Sequence, residues 1–291
     1  MLHSFSAFAQ DLEPRRWTPL PLGTNVVGAG YVYTEGDLDF DPVLQIEDAS
    51  VDVDTVLISH VNSFSLAGKL ARFDVLLPWQ KARWEGLLAG VPAVAKREGF
   101  ADPRFRVSVN LWGLPDAGEG DVRKYLASQP VNTIIGAAVS VSVPWGEYYS
   151  DKLLNLGSNR YTIRPQIGMV HTRGPWSFEL TGSAFIFTDN DNFFGGKKRE
   201  QDPIYALQTH LIRTFKPGLW ASLSAGYWEG GSSKIDGVDK DDERAGFLSA
   251  VSVGLPISRS QGVKIAYISS RNRERIGSDS DSLALAWSVL Y

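Results

Sequence analysis

Hydrophobic and polar positions alternate with a period of two through most of the chain, the mark of strands with two unlike faces. SLALAWSVLY at 282–291 shows it plainly: Leu283, Leu285, Trp287, Val289 and Tyr291 alternate with Ser282, Ala284, Ala286 and Ser288. Twelve such segments stand out, at about 24–34, 54–64, 68–79, 103–112, 131–143, 160–171, 175–187, 203–215, 219–229, 244–254, 262–271 and 281–291. In the first, Val27, Ala29, Tyr31 and Tyr33 oppose Gly28 and Gly30. In the third, Ala71, Phe73, Val75, Leu77 and Trp79 oppose Arg72 and Asp74. No amphipathic helix longer than two turns is visible, and the best candidate is the short GDVRKYLASQ at 120–129.

The two faces differ in a way that separates a sandwich from a barrel. A soluble β-sandwich buries its apolar face and covers the other with charge. Here the apolar face is long and carries aromatics near both strand ends, while the other is small and polar with isolated charges. An outward apolar band, aromatic girdles and a polar interior predict a twelve-stranded antiparallel transmembrane β-barrel. Strands of about ten residues match the tilted span of a bilayer. The connections agree: SLA, TRGP, FKPG and PISRSQ are short and alternate with longer gaps, the asymmetry of periplasmic turns and extracellular loops. One gap, 113–130, is long on the short-turn side; it is either a periplasmic excursion or the sign of a miscount near 80–100. The last strand is expected to pair with the first near Val27 and so remove both sheet edges.

Composition narrows the classes further. The chain's 291 residues suit one large all-β domain. With no cysteine there is no disulfide, thiolate zinc site or cysteine nucleophile, which suits export through an oxidising compartment. A net charge of −4 argues against nucleic acid as partner. No apolar run approaches the ~18 residues of a transmembrane helix. The GAG at Gly28 belongs to an alternating strand and is not a phosphate loop, so no cofactor is indicated. Ala7-Phe8-Ala9 has the small-x-small form of a leader cleavage site, although the preceding residues are few. The expected layout is therefore a leader remnant at 1–9, a periplasmic or lumen-inserted tail at 10–22, and the barrel at 23–291.

The loops carry more specific wording. LPLGTNV (20–26), FADPRFRV (100–107), VPWGEYYSDKLLNLGSNRYTIRPQIG (143–168), TDNDNFFGG (188–196), YWEGGSSKIDGV (227–238) and SRSQGVKIAY (258–267) follow in order. This series resembles the outer-membrane channel family associated with the meta-pathway of phenol degradation, over nearly the whole chain from about residue 20. The resemblance implies a monomeric barrel in a Gram-negative outer membrane, surrounded by lipid and lipopolysaccharide. It also implies passive uptake of small aromatic or otherwise poorly water-soluble molecules through a narrow polar lumen. It supplies no catalytic residues. Tyr291 resembles the terminal aromatic read by the barrel-assembly machinery, which usually prefers Phe.

The minor faces then nominate the lumen: Arg72, Asp74, Arg104, Arg106, Arg164, Gln166, Glu179, Gln208, His210 and Lys264, with His60 added from the second strand. These groups either select a permeant or form a lattice of salt bridges that fills the interior. Cations outnumber acids among them, which predicts a mild preference for anionic or aromatic solutes, since Arg also stacks on rings. The tail, with Arg15, Arg16 and Trp17, is expected to plug the lumen where Gly28 and Gly30 leave room; a loose periplasmic leader is the alternative. The acid-rich 35–54 and KKRE at 197–200 are read as solvated extracellular loops, with divalent-cation binding the alternative for the first. The rival function is an outer-membrane barrel lipase or esterase. Ser59, His60 and Asn62 are close in sequence, but period two puts Ser59 opposite the other two.

Overall fold

The computed structural model describes residues 12–291. The expectations for 1–9 and Gln10 lie outside the described residues. In chain order the elements are β1 (Asn25–Asp39), β2 (Ile46–Leu66), β3 (Lys69–Leu88), β4 (Val91–Phe100), β5 (Arg104–Trp112), α1 (Val122–Ser128), β6 (Val131–Ser142) and β7 (Thr162–Arg173). There follow β8 (Trp176–Phe187), β9 (Asn190–Phe193), β10 (Lys197–Gln201), β11 (Ile204–Lys216), β12 (Leu219–Gly230), β13 (Ser233–Ile235), β14 (Val238–Asp239), β15 (Arg244–Pro256), β16 (Gln261–Asn272) and β17 (Gly277–Leu290).

Twelve of these strands close on themselves in the order β2-β1-β17-β16-β15-β12-β11-β8-β7-β6-β5-β3, with β3 pairing back to β2. The seam is antiparallel, with Val27 opposite Val289, and Asn25 and Tyr291 exchange both backbone hydrogen bonds at 3.0 Å. Closure leaves no unpaired edge in the wall, which a lipid environment requires. The outer face carries an apolar band that includes Ile58, Ile167, Leu207, Leu223, Val251 and Leu285. Aromatics ring its two ends: Trp112, Trp176 and Phe215 below, Tyr31, Tyr205 and Tyr267 above. At the upper ring the phenols reach carboxylates, Tyr33 to Asp52 at 3.1 Å and Tyr267 to Asp281 at 2.7 Å. An amphipathic ring with its polar tip satisfied marks the edge of the bilayer.

The short connections sit together at the periplasmic end. Between β2 and β3 the turn is Ala67-Gly68, both at positive φ (47° and 77°), the tight hairpin turn that matches strand twist. The gap at 113–130 is a periplasmic excursion: it holds α1, whose Leu126 packs with Leu114 against Trp17, Ile134 and Val170. The excursion therefore forms a floor beneath the barrel, and the even strand count survives. The strand count also survives 80–100, because β3 continues to Leu88 and β4 returns along it without joining the wall (Trp79 opposite Phe100).

Two expectations are corrected outside the membrane. The acid-rich 35–54 is mostly strand, not loop: β1 runs on to Asp39 and β2 begins at Ile46, with Glu35 opposite Asp52 and Gly36 opposite Val51. The inner side of this ribbon, Leu38, Val51 and Val53, packs on Ala82, Trp84 and Leu156. KKRE is likewise not loop but part of β10, which joins β9, β13 and β14 in a small four-stranded sheet at the extracellular end.

Candidate functional site

Antiparallel register decides which inward side chains meet. Asp74, Arg106, Ser140 and Arg164 lie directly across from one another on β3, β5, β6 and β7, one belt around a third of the wall. Adjacent to it run Arg72, Ser108, Ala138 and Gln166. Further round, Glu179 faces His210 and Thr181 faces Gln208 across β8 and β11, and His210 faces Ser224 of β12.

Within this frame the polar groups are bonded to one another. Arg106, 2% exposed, donates to Gln166 Oε1 at 2.9 Å and to Asp74 Oδ2 at 3.1 Å. Asp74 also pairs with Arg72 at 2.8 Å. Arg164 donates to Ser183 Oγ at 3.1 Å and stacks 4.3 Å from the Phe185 ring. His210 Nδ1 and Ser224 Oγ are 2.7 Å apart. Buried guanidiniums and carboxylates persist only when paired and hydrogen-bonded in this way. Arg104 and Lys264 face the same interior, Lys264 opposite Gly254 and Ala286.

Part of the chain itself occupies this interior. Leu12 and Trp17 are each 3% exposed. The Trp17 indole donates to Thr181 Oγ1 at 2.7 Å, and the Arg106 guanidinium lies 5.0 Å from its ring. The Arg15 backbone donates to Glu179 Oε2 at 2.9 Å while its side chain lies 5.5 Å from Trp220. Arg16 pairs with Glu13, which Lys264 also reaches at 3.4 Å. The indole lies where two glycines oppose each other, Gly136 and Gly168 on β6 and β7. A Cβ at Gly168 would fall 2.0 Å from the ring, and one at Gly136 would fall 3.0 Å from it. Room for the segment is thus made here and not at Gly28 and Gly30, where an added Cβ would meet Ser59 and the backbone of β17.

Two further readings change. His60 does not face the lumen. Thr55 and Ser63 of β2 are buried inward while Val56 and Ile58 are exposed, so the even-numbered His60 points outward, opposite Val27 and Val75. Ser59 and His60 therefore lie on opposite sides of the wall. The lumen is not polar throughout either. Leu12, Phe185, Ile204, Trp228, Leu248, Ala250, Ala266 and Ile268 form a buried apolar cluster on the arc from β8 to β16. Sequence alternation hides this arc, because AGFLSAV in β15 is apolar on both faces.

Three arginines at the extracellular end, Arg160, Arg199 and Arg244, are buried, although the KKRE run that holds Arg199 is expected to be a solvated loop. Nearby, Asp102 accepts from Gly146 N at 3.0 Å and from Ser158 N at 2.9 Å, with the Ser158 hydroxyl also donating to it. Burial pushes its carboxyl above the ordinary aspartate value, and those hydrogen bonds only partly oppose the shift.

Comparison with known proteins agrees with this architecture. A solved outer membrane channel from Pseudomonas putida F1 superimposes with a TM-score of 0.80 at 22% identity, covering 97% of this chain and 100% of that one. The β domain of the Bordetella autotransporter BrkA matches at a TM-score of 0.49 and 7% identity, over 92% of this chain and 100% of that one. No curated protein matches. The family model described as "MetA-pathway of phenol degradation" matches residues 30–262. With four-fifths of its length so matched, and with the fold of an outer membrane channel, the chain belongs to that phenol-degradation family.

Proposed function

We propose that the protein is a passive channel of the outer membrane that admits small aromatic or hydrophobic molecules, and that residues 12–22 plug its lumen. The observation that carries this reading is the environment of Trp17. Its ring lies on bare backbone at Gly168, its N–H edge reaches a threonine hydroxyl, and Arg106 lies over its face. A planar aromatic solute with one polar edge needs those same contacts, and the apolar arc around Leu12 offers the complement for its remaining surface. On this reading Arg72, Asp74, Arg104, Arg106, Arg164, Gln166, Glu179, Gln208, His210 and Lys264 form the constriction. Their excess of cations favours anionic or aromatic solutes over cations.

The partners follow from the setting: lipid and lipopolysaccharide around the apolar band, a small-molecule permeant within, and the barrel-assembly machinery acting on β17, with the protein working as a monomer. The test is uptake of radiolabelled toluene, phenol and benzoate by cells with and without the gene, beside current through the purified protein in planar bilayers. Uptake that depends on the gene for the aromatics but not for glucose supports the reading. Equal uptake in both strains, or a protein with no conductance, defeats it.

A further inference from the structure

The lipid-facing side of the wall carries a basic and aromatic cluster at its periplasmic end, outside the lumen. The short turns there have one sign of charge: TRGP, FKPG and PISRSQ hold Arg173, Lys216 and Arg259 respectively, and no acid. Register joins two arginines through a tryptophan. Arg173 at the end of β7 lies opposite Trp176 at the start of β8, and Trp176 lies opposite Arg213 of β11. Parity turns all three outward. Val170 and Ile212 are buried, while Ile167 on the face of Arg173, Phe178 on that of Trp176 and Leu211 on that of Arg213 are exposed.

The Arg213 guanidinium lies 5.3 Å from the Trp176 ring and 5.1 Å from that of Phe215. One row nearer the bilayer centre, His171 lies opposite Thr133 and Phe178, and Phe178 opposite Leu211. His171 Nδ1 and Thr133 Oγ1 are 2.8 Å apart on this outer face. Two residues of a tilted strand rise about 5 Å, which puts this polar pair where headgroups give way to acyl chains.

The cations here are not balanced by the protein. Among the described residues neither Arg173 nor Arg213 forms an ion pair with a carboxylate. Of the acids on the periplasmic excursion, Asp116 pairs with Lys69 at 2.5 Å and Asp121 caps α1 through Arg123 N at 2.8 Å. The chain carries a net charge of −4, so it has no general attraction for anions. Its acid-rich ribbon stands across the bilayer, beyond the Debye length of about 8–10 Å. Two strand spacings separate Arg173 and Arg213 by about 10 Å at the backbone, which lets two long side chains converge on one group. A guanidinium fork fits a phosphate, and an exposed tryptophan settles at headgroup level. The apolar band begins directly above, at Phe178 and Leu211.

We propose that Arg173, Trp176 and Arg213 form a binding site for an anionic phospholipid of the periplasmic leaflet. The two guanidiniums share its phosphate, and its acyl chains lie along Phe178 and Leu211. The site is on the outer face alone and does not depend on what the channel admits.

The test is binding of pyrene-labelled phosphatidylglycerol to the detergent-purified protein, read by energy transfer from tryptophan. Unlabelled phosphatidylglycerol, phosphatidylcholine and inorganic phosphate serve as competitors. Phosphatidylglycerol should displace the probe at a several-fold lower concentration than phosphatidylcholine, and inorganic phosphate at the same concentration should not displace it. Arg173→Gln and Arg213→Gln should each weaken the probe about fivefold, the worth of one basic residue beside an anionic surface, and the double variant about 25-fold. Arg83→Gln, at the extracellular end, should leave binding unchanged. Heat-modifiable gel migration checks that each variant is folded, and the wild-type comparison of the two lipids needs no variant. Equal displacement by phosphatidylcholine overturns the proposal, as does an unchanged double variant. Displacement by inorganic phosphate at the lipid's concentration also overturns it, because it would mark a site for free anions.

Discussion

Removing the Trp17 side chain tests whether the inserted segment controls the pore. The indole is 3% exposed, donates to Thr181 at 2.7 Å and lies 5.0 Å from the Arg106 guanidinium. Truncating a tryptophan this deeply buried costs about 3–5 kcal/mol. Since about 1.4 kcal/mol is a factor of ten, Trp17→Ala should multiply the ratio of undocked to docked segments roughly a hundredfold or more. Gly168→Ala reaches the same end from the other side. Its new methyl would fall 2.0 Å from the ring, so the indole must leave its seat although every other contact of the segment is unchanged. Both variants should raise the mean current through single channels in planar bilayers and shorten their closed intervals. Because the chain has no cysteine, Arg15→Cys in each background reports docking through the rate of labelling by a polar maleimide. Faster labelling with unchanged current would mean that the segment leaves but was never the obstacle. Unchanged labelling and unchanged current in both variants would refute the energetic argument as well.

Three other perturbations address separate parts of the structure. Asp74→Asn removes the carboxylate held by both Arg72 (2.8 Å) and Arg106 (3.1 Å), so reversal potentials under a salt gradient should move towards anion selectivity; a move towards cations contradicts the charge assignment. Val27→Cys with Val289→Cys should cross-link β1 to β17 on oxidation, whereas Val27→Cys with Leu285→Cys should not, because Leu285 is opposite Tyr31; the reverse pattern means another seam register. Asp102→Asn turns an acceptor-only group towards the donors Gly146 N and Ser158 N, at a local cost of about 1–3 kcal/mol. Proteolysis should then cut within 146–158 at least several times faster, with the barrel intact; an unchanged digest would show that Asp102 does not hold that loop.

Most of the wall was legible because a membrane barrel enforces two unlike solvents on alternate side chains. Each of the twelve alternating segments corresponds to a wall strand, and the parity of short and long gaps assigned the ends. Two misreadings share one cause. At 35–54 and 80–100 the strands leave the bilayer, and the outward residues change from aromatic to acidic or basic while period two continues. Val51, Asp52, Val53 and Asp54 still alternate, but with carboxylates where lipid-facing side chains were sought. A search for alternation alone, indifferent to which face is apolar, would have found the ribbon. At His60 the polarity of one side chain and the parity of its strand disagree, and parity decides: the odd positions of this strand are the buried ones.

The interior was legible by residue and illegible by contact. That Arg106 and Arg164 point inward follows from alternation, but that they share a belt with Asp74 and Ser140 depends on the stagger of four strands. That stagger is set by turn geometry and by bulges such as the one between Asn110 and Trp112. A slip of two residues in any one strand would keep every inward side chain inward and yet separate Arg106 from Asp74. The seat of Trp17 depends on the same stagger, because it exists only where Gly136 and Gly168 come directly opposite each other. The sequence signal for it was a glycine on the minor face of each of two neighbouring strands, a pair whose coincidence has meaning only once their register is known. The arginines of the mouth show the limit of the argument. Arg160, Arg199 and Arg244 belong to no common periodicity, and their burial follows only from the folding of separate loops above the barrel.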